Sequence, residues 1–184
     1  MQQGFFFKSF LKDYKIAAVS ETSKSTIKKL IKIIDFARDI VIVEYGPGTG
    51  VCILPILKKL SKNSKFIAIE TNADFIEKLN KINDDRLIVV NGDAMDVASI
   101  IKEYGFEGVD IVISSIPFTF FTPEVRTSLV SITSSIINPG GLFLVYQYSP
   151  LMMKYLQKKF QTVRLSYSII NIPGIFIMEA YKSL

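Results

Sequence analysis

Short runs of aliphatic and β-branched residues alternate along this chain with segments of helical spacing, and this alternation limits the fold more than any other feature. Five such runs occupy 41–43, 66–69, 87–90, 109–113 and 142–146. Apart from Asp110, each is apolar at consecutive positions, as is typical of strands buried on both faces. Strand–helix alternation predicts a parallel sheet with helices on both sides.

The intervening helices and the last strands follow from the same reasoning. Apolar residues recur at steps of three and four in 74–80 and 123–137, which predicts two helices. The apolar runs 160–167 and 175–181 are separated by only 7 residues, too few for a crossover helix, so this pair is predicted to be antiparallel. The predicted fold class is therefore α/β, with five parallel strands and a C-terminal hairpin at one edge.

Two predicted N-terminal helices contain all of the excess positive charge. Residues 1–32 include seven lysines and two acids, whereas 33–184 include fifteen basic and fifteen acidic residues. A helix over 22–37 has its lysines opposite an apolar face, and one over 5–15 has lysines opposite aromatic residues. We therefore separate an N-terminal helical segment, 1–38, from a sheet domain, 39–184.

Composition excludes several kinds of site. The chain has no histidine, so it cannot form a Ser-His-Asp triad or a histidine-ligated metal site. Its single cysteine, Cys52, excludes an internal disulfide and a multi-cysteine zinc site. No run approaches the roughly 20 apolar residues that span a bilayer, and the N-terminus lacks a secretory signal pattern. We expect a cytoplasmic protein without a metal.

A glycine-rich turn closes the first predicted strand. The pattern is Glu44-x-Gly46-x-Gly48-x-Gly50, and it precedes a helix. Glycines at such a turn let the chain reverse sharply and let a ligand approach the backbone closely. By itself the motif is equally consistent with an ordinary tight loop.

Two further acids follow the next two predicted strands. Glu70 lies 24 positions after Gly46, where a carboxylate can accept hydrogen bonds from ribose hydroxyls. Asp93 follows the third strand and can accept from an adenine amino group, with Met95 packed on the ring. Each alone is explained as a solvated strand end or a turn residue. Together, at successive carboxyl ends of strands, they predict a nucleotide-type ligand site.

These three features, in this order, resemble the class I S-adenosylmethionine-dependent methyltransferases, which have a Rossmann-like fold. The resemblance covers 41–147. It implies S-adenosylmethionine as cofactor and S-adenosylhomocysteine as product. The cofactor-binding residues it implies are Glu44, Gly46, Gly48, Gly50, Glu70, Thr71, Asp93, Ala94, Met95 and Ser114.

The segment after the fourth strand bears on the substrate. Ser114-Ser115-Ile116-Pro117-Phe118 is similar to the Asn-x-Pro-Tyr/Phe motif of the ribosomal RNA adenine dimethyltransferases, in which the aromatic residue stacks on a flipped base. Here Ser115 replaces the asparagine. The sheet domain also lacks the net positive charge expected of an RNA-binding surface, and the sequence stops before those enzymes' additional C-terminal helical domain. We therefore expect RNA to be a less favoured partner.

A second resemblance spans nearly the whole chain. It is to the small bacterial phospholipid N-methyltransferases, which methylate phosphatidylethanolamine stepwise towards phosphatidylcholine. It implies a phospholipid substrate and action on the inner leaflet of the cell membrane as a peripheral protein. We also expect a monomer. Besides the glycine motif, the segments that resemble this family are 6–11, 17–20, 115–117, 140–141, 146–150 and 171–173.

Methyl transfer depends on positioning the reactants and needs neither a metal nor a covalent nucleophile. We expect Ser115, Tyr146 and Tyr148 to be the catalytic residues. Aromatic faces attract the amine as it becomes cationic, although ordinary core packing is the alternative for each of these rings. The aromatic residues predicted to bind substrate are Phe118, Phe120 and Tyr167. A carboxylate, a tyrosine, water or the lipid phosphate remains possible as proton acceptor.

The aromatic N-terminal helix is predicted to contact an anionic membrane surface, since lysines are attracted to it and phenylalanines can enter the acyl boundary. The alternative is a lid over the cofactor. Two other functions stay open, an RNA adenine N-methyltransferase and a non-catalytic cofactor- or lipid-binding module. The residues expected at the membrane are Phe6, Phe7, Lys8, Phe10, Leu11, Lys12 and Lys15.

Overall fold

Seven strands form one sheet in the computed structural model, which describes residues 24–169 and 173–184. The strands are β1 (Val41–Tyr45), β2 (Lys65–Glu70), β3 (Leu87–Asn91), β4 (Val109–Ser114), β5 (Ile137–Gln147), β6 (Thr162–Ser168) and β7 (Ile175–Tyr181). The helices are α1 (Lys24–Ile33), α2 (Ile53–Leu57), α3 (Ala73–Leu79), α4 (Val97–Glu103), α5 (Pro123–Ile136) and α6 (Met153–Leu156). Three short 3₁₀ turns are Ala94–Asp96, Phe118–Phe120 and Pro150–Met152.

The strand order is β3-β2-β1-β4-β5-β7-β6. The first five strands are parallel, and β7 lies antiparallel between β5 and β6. This confirms the predicted parallel sheet with a C-terminal hairpin at one edge. Since β5 and β6 are both antiparallel to β7, the C-terminal end of β6 lies at the same edge of the sheet as the ends of β1 to β5. We call this edge the carboxyl edge.

Several boundaries differ from those the sequence predicts. Helix α1 ends at Ile33 rather than near residue 37, because the Asp35 carboxylate accepts a hydrogen bond from the Ala37 amide at 2.9 Å and this local turn competes with the helix. Strand β5 begins at Ile137, which pairs with Val109 before the register shifts. Helices α4 and α6 were not predicted, and the predicted helix over 5–15 lies outside the described residues.

Two apolar layers cover the sheet. Helices α1 and α2 pack on one face, against β-strand residues such as Phe66 and Leu144, and α4 to α6 pack on the other, against residues such as Val112 and Phe143. The Thr26 hydroxyl of α1 lies 3.3 Å from the Ser168 hydroxyl at the end of β6, so α1 starts at the carboxyl edge and runs down towards β1. No described helix is long and apolar enough to cross a bilayer.

Candidate active site

The glycine motif forms a tight loop between β1 and α2. Gly46, Gly48 and Gly50 all have positive φ, at 62°, 56° and 78°, a conformation that residues with a Cβ adopt at a cost. A Cβ on Gly46 would lie 2.7 Å from Ile116, and one on Gly50 2.7 Å from Leu79. A Cβ on Gly48 would meet no other atom within 4 Å. The loop therefore packs closely on its sides and is open above Gly48.

Glu70 fastens this loop to the end of β2. One carboxylate oxygen accepts the Gly48 amide at 3.0 Å, and the other accepts the amides of Thr71 and Asn72 at 2.8 and 2.9 Å. Carboxylate oxygens can each accept more than one bond, so the predicted contact with a ribose remains compatible with these bonds. The loop-holding role was missed by sequence reasoning, because it depends on an amide 22 positions away.

Glu44 is 1% exposed, and among the described residues its Oε2 atom has no hydrogen-bond partner. Removal from water raises its pKa to about 8, the nearby Glu70 adds to the increase, and a hydrogen bond with Tyr146 opposes it. A buried acceptor without a donor costs about 1–3 kcal/mol, and more when charged. A cationic or N–H-bearing ligand group beside Glu44 would remove this cost.

Tyr146 joins Glu44 to the segment after β4. Its hydroxyl lies 3.5 Å from the Cys52 sulfur and is also hydrogen-bonded to Glu44 and Ser115. Burial raises the pKa of Tyr146 well above its usual value, so the hydroxyl is neutral at physiological pH. The sequence predicted Tyr146 near the site. It gave no signal for Cys52, which reads as an ordinary buried residue.

The third predicted contact, Asp93, begins the short turn Ala94–Asp96 and accepts the Met95 amide at 2.9 Å. Ala94 is buried and Met95 is partly buried. Nearby at the end of β2, the Thr71 hydroxyl is buried and has no hydrogen-bond partner among the described residues. Ser114 is buried, and its hydroxyl accepts the Ile116 amide at 3.4 Å.

These observations fit the implied cofactor. The unpartnered oxygen of Glu44 suits an ammonium group, the Thr71 hydroxyl offers a further polar contact, and the open backbone at Gly48 leaves space for a ligand. Glu70 and Asp93 follow the two adjacent strands, within the same edge. When bound, S-adenosylmethionine supplies an electrophilic methyl group, so the chain itself has only to bind, orient and deprotonate an acceptor.

The aromatic residues predicted to surround the amine separate into two groups. Tyr146 and Phe118 are buried, and Phe118 packs edge-to-face on Phe121 with centroids 5.9 Å apart. Three others are exposed at the carboxyl edge, with exposed fractions of 59%, 38% and 51% for Phe120, Tyr148 and Tyr167 respectively. Their roles stay predictions.

Arg126 of α5 was missed by sequence reasoning, because an arginine on an amphipathic helix reads as solvated. Its guanidinium donates to the carbonyls of Phe118 and Thr119 at 2.8 and 3.1 Å and to the Tyr155 hydroxyl at 3.2 Å. It therefore fixes the backbone that follows Ser115. Gln147 was also missed, and its buried Oε1 has no hydrogen-bond partner among the described residues.

Comparisons with known proteins show which families this chain is similar to. A sequence model of the ribosomal RNA adenine dimethylase family matches residues 19–164. An ornithine lipid N-methyltransferase of Singulisphaera acidiphila is 26% identical over 97% of this chain and 95% of its own length. The ribosomal RNA small subunit methyltransferase A of Mycoplasma capricolum is 28% identical over 58% of this chain, which spans only 40% of that relative.

Solved structures support the fold. A magnesium protoporphyrin IX methyltransferase of Synechocystis, crystallised with bound S-adenosylmethionine, superimposes with a TM-score of 0.68 at 12% identity, covering 95% of this chain and 91% of its own. The Rossmann-like methyltransferase fold that the sequence predicts is confirmed.

Proposed function

We propose that this chain, which belongs to the ribosomal RNA adenine dimethylase family, methylates the amine of a membrane lipid rather than an RNA base. It is an S-adenosylmethionine-dependent methyltransferase, as its relatives and the match to their family agree. The proposal concerns the acceptor. We propose phosphatidylethanolamine and its methylated derivatives, whose headgroup carries the nitrogen to be methylated.

The observation that carries this proposal is the extent of the similarity. The lipid enzyme aligns with 97% of the chain and 95% of its own length, whereas the first ribosomal RNA enzyme aligns with 58% and 40%. The end-to-end match includes the segments that follow β4 and β5, where an acceptor would approach.

The residues after β4 support the same choice. An asparagine amide offers a donor and an acceptor in fixed geometry, whereas the Ser115 hydroxyl offers one rotatable donor and two lone pairs. The ring of Phe118 is fully buried and packed on Phe121, so it does not present a free face for a flipped base. A flexible lipid amine needs less of such a stacking surface.

We propose that the lipid amine attacks in its neutral form, after its ammonium has released a proton to water or to the lipid's own phosphate, and that the chain holds this amine by hydrogen bonds. Tyr146 is hydrogen-bonded both to Ser115 and to Glu44. We propose that Ser115 accepts a hydrogen bond from the substrate amine and that Tyr146 positions Ser115. In this arrangement Arg126 keeps the segment after Ser115 in place from the outside.

The test is a methyl-transfer assay with labelled S-adenosylmethionine and three acceptors in parallel: phosphatidylethanolamine, ornithine lipid and small-subunit ribosomal RNA. We expect label in phosphatidylethanolamine. Label in ornithine lipid alone would support a lipid amine as the acceptor but would replace phosphatidylethanolamine by a different headgroup. Label in RNA with both lipids unlabelled would overturn the proposal.

A variant of Ser115 distinguishes methyl transfer by this protein from transfer by a contaminating enzyme. Ser115→Ala should reduce transfer to the lipid while cofactor affinity, measured by calorimetry, stays unchanged. Ser135→Ala is the matched control, because Ser135 is exposed on α5 and its hydroxyl donates to the local Ile132 carbonyl. Equal activity of the two variants would exclude a role for Ser115.

RNA methylation is the second candidate, and the family match is what favours it. It predicts that RNA competes with lipid for the enzyme. The body from 33 to 184, with equal numbers of acidic and basic residues, provides little electrostatic attraction for a phosphate backbone.

A further inference from the structure

Three cationic side chains surround the Tyr155 hydroxyl on α6. The Arg126 guanidinium donates to this hydroxyl at 3.2 Å, and the Lys154 ammonium lies 5.2 Å from the centre of the Tyr155 ring. Lys158 is four positions after Lys154, and its backbone amide donates to the Tyr155 carbonyl at 3.2 Å, so the two lysines lie on one side of a helical turn. The hydrogen bond from Arg126 lowers the pKa of Tyr155, and the charges of the three cations lower it further. We call these four residues the Tyr155 cluster.

The cluster has more hydrogen-bond donors than acceptors. Tyr155 is 6% exposed, and its oxygen accepts from Arg126, but no described residue accepts the hydrogen of its O–H group. Lysine and arginine side chains cannot accept it, because they are donors only. The guanidinium uses three of its five N–H groups, for Tyr155 and the carbonyls of Phe118 and Thr119. The ligand that would complete these bonds must itself be an acceptor.

The positive charge of the cluster is not balanced locally. The sequence contains no acidic residue between Val125 and Met178. Glu124 precedes this stretch and is exposed, and no ion pair joins it to Arg126 among the residues that the structure describes. Like charges held close together repel one another, and an anion bound between them would remove this repulsion. An anionic acceptor therefore fits both the charge and the donors.

The cluster lies at the carboxyl edge. The turns Phe118–Phe120 and Pro150–Met152 follow β4 and β5 and contact each other, and α5 and α6, which begin just after these turns, also contact each other. Arg126 is in the first turn of α5 and Lys154 in that of α6. Both helices pack on the same face of the sheet. The donors therefore border the segment that follows Ser115.

We propose that the Tyr155 cluster binds the phosphate group of a membrane phospholipid. Guanidinium and ammonium groups bind phosphate oxygens through charge-assisted hydrogen bonds. Phe120 is 59% exposed in the turn whose Thr119 carbonyl Arg126 holds, and it offers an apolar contact to the acyl chains beside the phosphate. This inference rests on the proposed lipid acceptor, since it gives the same class of molecule a second contact. A local cluster matches one headgroup phosphate, whereas an RNA backbone calls for an extended basic track.

The charge of the cluster is tested by calorimetry on the whole chain. The probe is dihexanoylphosphatidylglycerol, a soluble phospholipid that carries a phosphate but no amine. Lys154→Gln/Lys158→Gln removes two exposed cations and keeps the bonds of Arg126 to the backbone. Affinity for the probe should fall roughly tenfold at low salt. The loss should shrink at high salt, where such charges are screened.

Lys78→Gln/Lys102→Gln is the matched control, because it removes the same charge from exposed lysines of α3 and α4. We expect its affinity for the probe to stay within about threefold of the unmodified protein, since charges far from the site are screened. Equal losses in the two double variants would mean that only total charge matters, and would overturn the proposal. Cofactor affinity, unchanged in both variants, verifies that they are folded.

The hydroxyl is tested by Tyr155→Phe, which removes one donor and keeps the ring and all three cations. Affinity for the probe should fall about fivefold through the lost hydrogen bond. Tyr104→Phe, at an exposed tyrosine after α4, should change nothing. If Tyr155→Phe binds the probe as tightly as the unmodified protein, diffuse charge rather than a defined site holds the phosphate, and the proposal is wrong.

Inorganic phosphate and a short single-stranded RNA are measured in the same way, because both carry the same anionic group. Inorganic phosphate should bind more weakly than the lipid, since it lacks acyl chains to contact Phe120. Tighter binding of inorganic phosphate than of the lipid would make this a site for free phosphate. Tighter binding of the RNA, lost in the double variant of Lys154 and Lys158, would make it an RNA contact. Either result would overturn the lipid assignment.

The site and the proposed acceptor fail in different ways. Binding of phosphatidylglycerol does not depend on the acceptor, because this lipid has no amine to methylate. Methyl transfer is measured separately with phosphatidylethanolamine dispersed in detergent. Binding as expected without such transfer would refute the substrate and leave the site standing. Transfer to phosphatidylethanolamine, with probe binding unaffected in Lys154→Gln/Lys158→Gln, would refute the site and leave the substrate standing.

Discussion

Replacing Glu44 by glutamine is expected to stabilise the protein without cofactor as the pH rises. The side chain is 1% exposed, and burial raises its pKa from 4.5 to about 8. The folded protein therefore keeps this proton over a pH range in which the unfolded chain has lost it. Stability is lost as the pH rises from about 4.5 to about 8, and no more is lost above that.

The size of the effect follows from the same shift. Each pKa unit corresponds to about 1.4 kcal/mol, so a shift from 4.5 to about 8 has an upper limit of about 5 kcal/mol. Within the interval the free energy of unfolding of the natural protein should fall by up to about 1.4 kcal/mol per pH unit relative to the variant. Glutamine never ionises, so the variant lacks this loss.

Urea unfolding at pH 5, 6.5 and 8 measures this difference directly. The control is Glu103→Gln, an exposed acid at the end of α4, for which the difference should stay flat. A difference between the natural protein and Glu44→Gln that does not change with pH would refute the reasoning. The same variant should bind S-adenosylmethionine more weakly, because an amide lacks the negative charge that attracts an ammonium group.

Three further variants test the remaining parts of the site. Glu70→Gln replaces two acceptor oxygens by one and removes their charge, so the bond to Gly48 should weaken and calorimetry should show cofactor affinity reduced by about tenfold or more. Arg126→Lys cannot span the two carbonyls and the hydroxyl that the guanidinium contacts, so the KM for the acceptor should rise while cofactor affinity stays constant. Tyr146→Phe removes the link between Ser115 and Glu44, and kcat should fall more than KM rises. Unchanged cofactor affinity and kinetics in these variants would show that the hydrogen bonds of these three side chains do not contribute to binding or catalysis.

The sequence predicted the sheet and the place of the site, because both follow from local patterns. Continuous apolar runs identify buried strands, and a glycine motif with acids at successive strand ends identifies the carboxyl edge. The hairpin of β6 and β7 was predictable because few residues separate the two strands along the chain. These features can be predicted from the sequence because residues close together along the chain determine them.

What the sequence did not reveal depends on contacts between distant residues. Glu70 reaches the Gly48 amide, Cys52 reaches Tyr146, and Arg126 reaches the Tyr155 hydroxyl only after the sheet has formed. Residue type did not indicate these contacts, since an arginine on a helix face is usually solvated and a lone cysteine is usually a buried core residue. The early end of α1 depends on a single turn bond at Asp35.

This protein has two separate charge features, one buried and one exposed. The buried acid at Glu44 costs stability and favours a cation within the site, whereas the lysines of α1 are exposed and carry positive charge outside it. Both lie towards the carboxyl edge, because α1 begins there beside Ser168 and the glycine loop follows β1 there. Under the proposed lipid substrate, the headgroup has to reach this edge while its acyl chains stay in the bilayer. Extraction of the acyl chains into water, which costs about 0.8 kcal/mol per CH₂, would then be avoided.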